Sequence, residues 1–205
     1  MAAWFANRED VRQTGVLWLL LLSLVGCAFS PEQAIVQEVR ELNESWQDQT
    51  LDPQTIQVLQ TQPWGKDLIG LVTFQTIRKT RERQECLFQY QVTRQNLQWG
   101  AGRGGGGCGP IDGDGRPISV GSGQHLSSQE GAWSSTSGTV YVGEGVGVRV
   151  LWDDGEEQQV VLVQGHFMAV RAGVHSYSRV EVLGADGAAI LSHEPEPPAA
   201  GKVDR

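Results

Sequence analysis

The chain has 205 residues, a hydrophobic content of 40% and a formal net charge of −8 at pH 7. Its length suits one domain with tails rather than two full domains, and its acidity disfavours binding to the phosphate backbones of nucleic acids. The 26 glycines, together with frequent Val, Thr, Ser and Gln, indicate short strands and tight turns, so the body is predicted to be mainly β.

Residues 1–26 are predicted to be a signal peptide. The apolar run from Val16 to Val25 is about half as long as a transmembrane helix requires, but it suits the apolar region of a signal. The run ends in the motif LVGC, whose last residue is Cys27. This motif resembles the lipobox of bacterial lipoproteins. The alternative is an ordinary secretory signal in which the cysteine stands by chance.

The resemblance to lipoproteins implies that the mature chain begins at Cys27 and carries acyl chains there. Such chains, each methylene contributing about 0.8 kcal/mol, would hold the protein on a membrane without a spanning segment. The expected location is therefore extracytoplasmic, on the periplasmic face or the cell surface. Ala28 stands where inner-membrane lipoproteins carry Asp, which favours the outer membrane if the host has one.

Residues 27–63 are predicted to form the anchor segment, an amphipathic helix and a linker. Ser30, Pro31 and Gln33 supply the N-cap, the first turn and the capping box of a helix that extends to about Asp48. Its apolar residues share one face, which we expect to dock on the domain's own sheet rather than on another protein or on lipid. These residues are Ile35, Val39, Leu42 and Trp46. The Gln-rich, proline-bounded stretch that follows is predicted to be a connection.

Residues 64–192 are predicted to form an antiparallel β-sandwich or barrel, followed by a disordered tail over residues 193–205. Asp154-Gly155 and Asp186-Gly187 indicate hairpin turns, and two strands are predicted around Gly165. The Ser- and Gly-rich stretch 120–138 is predicted to be a long loop with one short strand. This hairpin-rich pattern is similar in style to immunoglobulin-like and fibronectin-like modules of bacterial surface proteins, a resemblance that implies a sandwich and brings no functional residues.

Cys86 and Cys108 remain once Cys27 is set aside, and in an oxidising compartment they predict one disulfide. The run from Gly100 to Pro110 contains formal GxGxxG matches. A dinucleotide site would need a helix that opens on the run, and a P-loop would need Lys followed by Ser or Thr. Both are missing, so we interpret the glycines as backbone freedom around the disulfide.

Other candidate sites each have a simpler alternative. Asp112 and Asp114 resemble a fragment of a calcium loop, or a pair of Asx turns. No other metal and no cofactor is predicted, because the four histidines lack zinc-ligand spacing. Ser122 and His125 could belong to a hydrolase site assembled in space. The acidic residues after Trp152 are interpreted as a solvated hairpin tip.

Trp99, Trp133 and Trp152 could form an exposed row that stacks on sugar rings, although filling of the core is favoured. The sequence therefore predicts a non-enzymatic structural or protein-interaction module of the cell envelope, with an envelope protein as its partner. The alternatives are a module that binds glycans or another small ligand, and a hydrolase.

Overall fold

A computed structural model describes residues 30–96, 98–102, 104–127 and 131–195. The predicted signal peptide, Cys27 and most of the predicted tail lie outside these ranges. Within them, no helix is both long enough and apolar enough to cross a membrane.

The helix α1, Pro31–Glu44, begins where the sequence predicts. Ser30 Oγ accepts a hydrogen bond from Gln33 N, and Gln33 Oε1 accepts one from Ser30 N, both at 3.2 Å, which completes the capping box. The helix ends earlier than the predicted Asp48, because the chain turns at Ser45 and Asn43 Oδ1 accepts a hydrogen bond from the backbone of the first strand.

The described part of the chain then forms twelve strands, all paired antiparallel, in three sheets. Their bounds are β1 Gln49–Trp64, β2 Asp67–Arg78, β3 Arg83–Gln95, β4 Gln98–Gly102, β5 Gly106–Pro110, β6 Ile118–Ser127, β7 Gly131–Val140, β8 Gly147–Trp152, β9 Glu157–Val161, β10 His166–Ala172, β11 Tyr177–Leu183 and β12 Ala189–His193. Sheet 1 has the order β1-β2-β3-β4, with β5 pairing with an earlier part of β3; sheet 2 has the order β10-β7-β6; sheet 3 has the order β12-β11-β8-β9.

These elements stack in four layers, with α1 on sheet 1, sheet 1 on sheet 2 and sheet 2 on sheet 3. Ile35 and Val39 of the helix pack with one face of sheet 1, including Phe74. The other face of sheet 1 contributes Leu71 to a core shared with sheet 2, and the far side of sheet 2 packs against sheet 3. The predicted mainly β, sandwich-like class with one N-terminal helix is confirmed, and the helix docks on its own domain. The described strands close no barrel.

Two segments predicted to be irregular are strands. The Gln-rich stretch forms β1, which tolerates Pro53 and Pro63 because it lies at a sheet edge and its pairing with β2 shifts register twice. The Ser- and Gly-rich stretch forms most of β6 and β7, which pair without interruption from Ile118–Val140 to Ser127–Gly131. The central strand β7 buries Ser134, Ser135 and Thr136 between two sheets, so hydrophobic alternation does not mark it.

The predicted hairpin turns are confirmed. Asp154-Gly155 joins β8 to β9 and Asp186-Gly187 joins β11 to β12. Gly155 has φ 86° and Gly187 has φ 78°, a region that favours glycine. Gly165 lies between β9 and β10, as predicted.

The predicted disulfide is also confirmed. Cys86 on β3 and Cys108 on β5 lie directly opposite each other, with their Cα atoms 3.9 Å apart and their sulfurs bonded. Cys86 is fully buried in the core beneath α1. The bridge therefore joins β5 to sheet 1 on the face that the helix covers.

Candidate functional site

A cleft of about 330 Å³ opens between sheet 1 and sheet 2. One wall consists of β3, β5 and the loop before β5, and the other consists of β6 and β7. β6 is an edge strand of sheet 2, and β5 pairs only with β3. The cleft thus lies where two sheet edges face each other, and its volume is at the lower end of the ~300–1,000 Å³ typical of ligand pockets.

Glycines leave this space open. Gly107 pairs with Leu87 and Gly109 pairs with Glu85, so both lie on the face of β5 that is directed toward sheet 2. A Cβ atom added at Gly107, Gly109 or Gly121 would meet nothing within 4 Å. None of the three has a positive φ. Neither sterics nor backbone conformation therefore requires glycine at these positions.

Two earlier glycines of the same run, Gly104 and Gly106, are required by the fold for a steric reason. A Cβ at Gly106 would lie 2.5 Å from Leu87 O, and one at Gly104 would overlap the backbone of Gln89. Glycine at these two positions lets the chain lie close against β3, which is the conformational role that the sequence predicts for the run. The run therefore contains both glycines that the fold requires and glycines that line an open space.

Polar groups surround one end of the cleft. Glu85 and Tyr141 line it, and His166 lies behind Glu85 with 3.9 Å between His166 Nε2 and Glu85 Oε1. His166 Nδ1 shares a hydrogen bond of 3.0 Å with Thr139 Oγ1. Burial raises the pKa of Glu85 and lowers the pKa of His166, because both lose water around their charged forms. The raised pKa of Tyr141 comes first from burial and then from the nearby Glu85.

Tyr141 is positioned by Gly113. The glycine has φ 68°, and a Cβ there would overlap the tyrosine ring. Both the backbone conformation and the close approach of the ring exclude a larger residue at position 113. With glycine there, the Tyr141 ring packs against the turn before β6, and its phenol lies near the carboxyl group of Glu85.

Unpaired polar atoms lie at the other end. Ser135 is 1% exposed, and its Oγ has no hydrogen-bond partner among the described residues. It lies on the same face of β7 as the cleft-lining Ser137 and directly opposite the cleft-lining Gly123. His125 Nε2 is also buried and without a partner in the described ranges, and its ring stacks on Trp133 with centroids 3.8 Å apart. Buried polar atoms normally have partners, so these two atoms are exceptions, and they lie beside the cleft rather than in its lining.

The predicted aromatic row is not assembled. Trp133 and Trp152 are 0% and 2% exposed and fill two different cores, so their rings are not available to stack on sugars. Trp99 is half-buried against the core beneath α1, with the Arg94 guanidinium 5.7 Å from its ring centroid. The favoured alternative, packing in the core, describes all three.

Ser122 and His125 do not form a catalytic pair. They are three residues apart on the regular strand β6, so their side chains are directed to opposite faces of sheet 2. Ser122 and His125 are close in the sequence, but their side chains lie on different sides of the sheet and cannot act together. The cleft-lining Glu85 and its neighbour His166 were not singled out as a pair, because they lie 81 positions apart in the sequence and meet only when two sheets stack.

Asp112, one of the two candidate calcium ligands, accepts a hydrogen bond from the protein itself. Asp112 Oδ1 accepts a hydrogen bond of 3.1 Å from Asp114 N, which is the Asx turn that the sequence offered as the alternative to calcium.

In the described ranges, the group of side chains close enough to hold a metal is Asp153, Asp154 and His175. Asp153 Oδ2 accepts a 3.0 Å hydrogen bond from Ser176 N, and both carboxylate oxygens of Asp154 bind Arg171. These bonds lower the pKa of both carboxyl groups. The predicted solvated tip is therefore a network of ion pairs.

Comparison with known proteins gives no match for this chain among protein-family models, curated proteins or solved structures.

Proposed function

We propose that this protein is a non-enzymatic interaction module of the cell envelope, and that the cleft between sheets 1 and 2 is its binding site. Acyl chains on Cys27 would hold it on the extracytoplasmic side of a membrane, as the likeness of LVGC to a lipobox suggests. The partner is a neighbouring envelope component.

The observation that carries this proposal is the set of glycines that the fold does not need. Glycine inside a strand costs about 0.5–1 kcal/mol relative to alanine. Gly107, Gly109 and Gly121 carry this cost although an added Cβ would meet nothing within 4 Å, and all three line the same cleft. Glycine in a strand interior is typical of places where a ligand or another backbone approaches closely.

Binding is favoured over catalysis by the arrangement of the candidate residues. Ser122 and His125 are directed to opposite faces of β6. Glu85 and His166 come within 3.9 Å, but His166 is mostly buried behind the carboxyl group. A sugar-stacking mode has little support, since Trp133 and Trp152 are buried.

The proposed anchor would place the domain close to the membrane. Ser30 caps α1 only three positions beyond Cys27, and three extended residues span about 10 Å. In cells, Cys27→Ala should cause an unprocessed precursor to accumulate and should abolish labelling by radioactive palmitate. Cys108→Ser, which removes a different cysteine, should be processed and labelled normally. Unchanged processing of Cys27→Ala, without label in the wild type, would overturn the anchor.

The cleft is tested by photocrosslinking in intact cells. A photoreactive residue at Gly121 should give a discrete adduct, whereas the same residue at Val161, on the far edge of sheet 3, should not. Adding Gly109→Leu, which fills the cleft from the opposite wall, should remove the adduct at position 121. Identical adducts at both positions, or an adduct that survives Gly109→Leu, would count against the cleft as the binding site.

A further inference from the structure

We infer that the ligand of the cleft is an extended peptide segment of a partner protein, which pairs with the free edge of β6 and places alternate side chains in the cleft. This inference rests on the proposed function of the cleft and names the chemistry of its occupant. It follows from the hydrogen-bonding pattern of β6, the character of its edge and the charge of the cleft.

The register shows which backbone groups of β6 have no strand partner among the described residues. Tyr141 N donates to Pro117 O, and antiparallel pairs alternate between bonded and non-bonded residues. Odd-numbered residues of β6 therefore bond to β7. The N–H and C=O groups of Val120, Ser122 and Gln124 are directed away from β7, toward the free edge.

The edge of β6 lacks the features that normally prevent pairing. Edge strands are commonly protected by charged residues, prolines or bulges. β6 has ten residues, contains no Lys, Arg, Asp, Glu or Pro, and pairs with β7 without a register shift. By contrast, the edge strand β1 has two prolines and two register shifts. Strand addition to β6 is thus possible where it is hindered on β1.

The cleft supplies the side-chain pocket for such a strand. A strand added beside β6 would extend sheet 2 beneath β5, and every second side chain would be directed toward sheet 1. The space left by Gly107, Gly109 and Gly121 would receive these side chains. Ser135 Oγ and His125 Nε2, which have no partner among the described residues, lie beside this space but are not among the groups that line it.

Charge further defines the peptide. Glu85 is the acidic residue among those that line the cleft, and the chain as a whole has a net charge of −8. A Lys or Arg on the cleft-facing side of the peptide would compensate the buried carboxyl group, whereas Asp or Glu would be repelled. A second copy of this chain is a poor occupant, because the matching face of its own β6 consists of Ser119, Gly121, Gly123 and His125, and three of these four residues have little or no side chain to fill the cleft.

The test uses synthetic peptides of about nine residues, which match the length of β6. The probe peptide alternates Val and Thr. A Lys replaces the central Val, so that it lies on the same face of the strand as the other Val side chains. One control replaces the Lys by Glu, and another methylates alternate backbone nitrogens so that they cannot pair. We expect the Lys peptide to bind in fluorescence anisotropy and both controls to bind at least about tenfold more weakly. Bound peptide should slow hydrogen exchange at the amides of Val120, Ser122 and Gln124.

Two proline variants test the edge itself. Ser122→Pro removes an outward N–H without removing a bond to β7, so the fold should survive while peptide affinity falls at least about tenfold. Gln159→Pro is the matched control, because Trp152 N donates to Glu156 O and the register therefore directs the Gln159 N–H away from β8, at the edge of sheet 3. Should Ser122→Pro fail to fold, Gln124→Pro removes another outward N–H of β6 and provides the same test.

The outcomes separate this inference from the proposed function. If Ser122→Pro binds the Lys peptide as tightly as the wild type, or if amide exchange along β6 is unchanged, the inferred pairing with β6 is wrong.

Other results would identify a different occupant. If peptides do not bind while neutral oligosaccharides bind and Gly109→Leu abolishes that binding, the cleft remains a binding site and a peptide ligand is excluded. If Ser122→Pro instead abolishes a dimer seen by light scattering, the occupant is a second copy, which also overturns the inference. If no probe binds and position 121 gives no crosslink, both proposals fail.

Discussion

Glu85 Oε1 and His166 Nε2 approach to 3.9 Å across the gap between sheets 1 and 2. The carboxyl group extends from β3, and the imidazole extends from β10, which is two strands away from the cleft-lining edge strand β6. Glu85 lines the cleft, and His166 lies behind it. The two ionisable groups therefore meet only where sheets 1 and 2 stack.

Acidification should destabilise the protein partly through His166. Burial places the folded-state pKa of His166 below its ordinary value of 6.5, so the unfolded chain binds the proton first as the pH falls. The free energy of unfolding should therefore decrease between about pH 7.5 and about pH 5.5, as measured by urea titration. His166→Gln should show a smaller decrease than the wild type.

Glu85→Gln should show a larger decrease over the same pH range, because the carboxylate offsets part of the cost of charging His166. The sign of the Glu85 contribution is opposite: its raised folded-state pKa lowers stability as the pH rises through and above 4.5. Equal decreases in the wild type and His166→Gln would show that His166 does not control the acid response.

Two glycines on the paired strands β6 and β7 should respond in opposite ways to alanine. Gly121→Ala places a methyl group in open space and should raise the free energy of unfolding by about 0.5–1 kcal/mol. Gly138→Ala directs its methyl group into Ser119 O and the Phe167 ring, so it should lower the free energy of unfolding by about 1–3 kcal/mol. Chemical denaturation of both variants measures the difference, and a large loss of stability in Gly121→Ala would contradict the open cleft.

Removal of the disulfide should lower the free energy of unfolding by about 3 kcal/mol in the chain-entropy account, since the bridge closes a loop with a sequence separation of 22 residues. The measurement compares urea unfolding of the wild type with that of the double variant Cys86→Ser, Cys108→Ser. Because Cys86 is fully buried, mild reductant should not cleave the bridge in the folded protein. Rapid reduction under native conditions would show that β5 detaches easily.

The helix should contribute strongly to stability through Ile35. This side chain is fully buried against sheet 1 at Gly70, where an added Cβ would overlap it. Ile35→Ala should lower the free energy of unfolding by about 2–5 kcal/mol. Ile77→Ala removes the same group from a position that is 38% exposed, and it should have a much smaller effect. Similar losses in both variants would mean that α1 is not firmly docked.

Local patterns predicted much of the fold. The capping box fixed the start of α1, and the Asp-Gly pairs fixed two hairpins, because these features act within a few residues. Cys86, Phe88, Tyr90 and Val92 alternate in the sequence, and in β3 they share the face that packs in the core beneath α1. The strand β1 was missed, and only one short strand was predicted where β6 and β7 form, since prolines at an edge and buried hydroxyls in a central sheet do not produce hydrophobic alternation.

The candidate site could be predicted much less completely. The glycine run was identified as unusual, but the distinction between Gly106, which contacts β3, and Gly107, which opens to the cleft, depends on pairing between distant segments. The second wall depends on β6, which lies opposite β5 only after sheets 1 and 2 stack. No spacing within the chain encodes that juxtaposition.

The disulfide between Cys86 and Cys108 also determines in which cellular compartments the cleft can form. β5 is a five-residue strand of mostly glycine, paired only with β3, so it has few side chains to hold it in place. In a reducing cytoplasm we expect this wall to separate easily from sheet 1, whereas an oxidising compartment would fasten it. If the protein is exported as we propose, the newly made chain would become competent to bind only after the disulfide forms in an oxidising compartment.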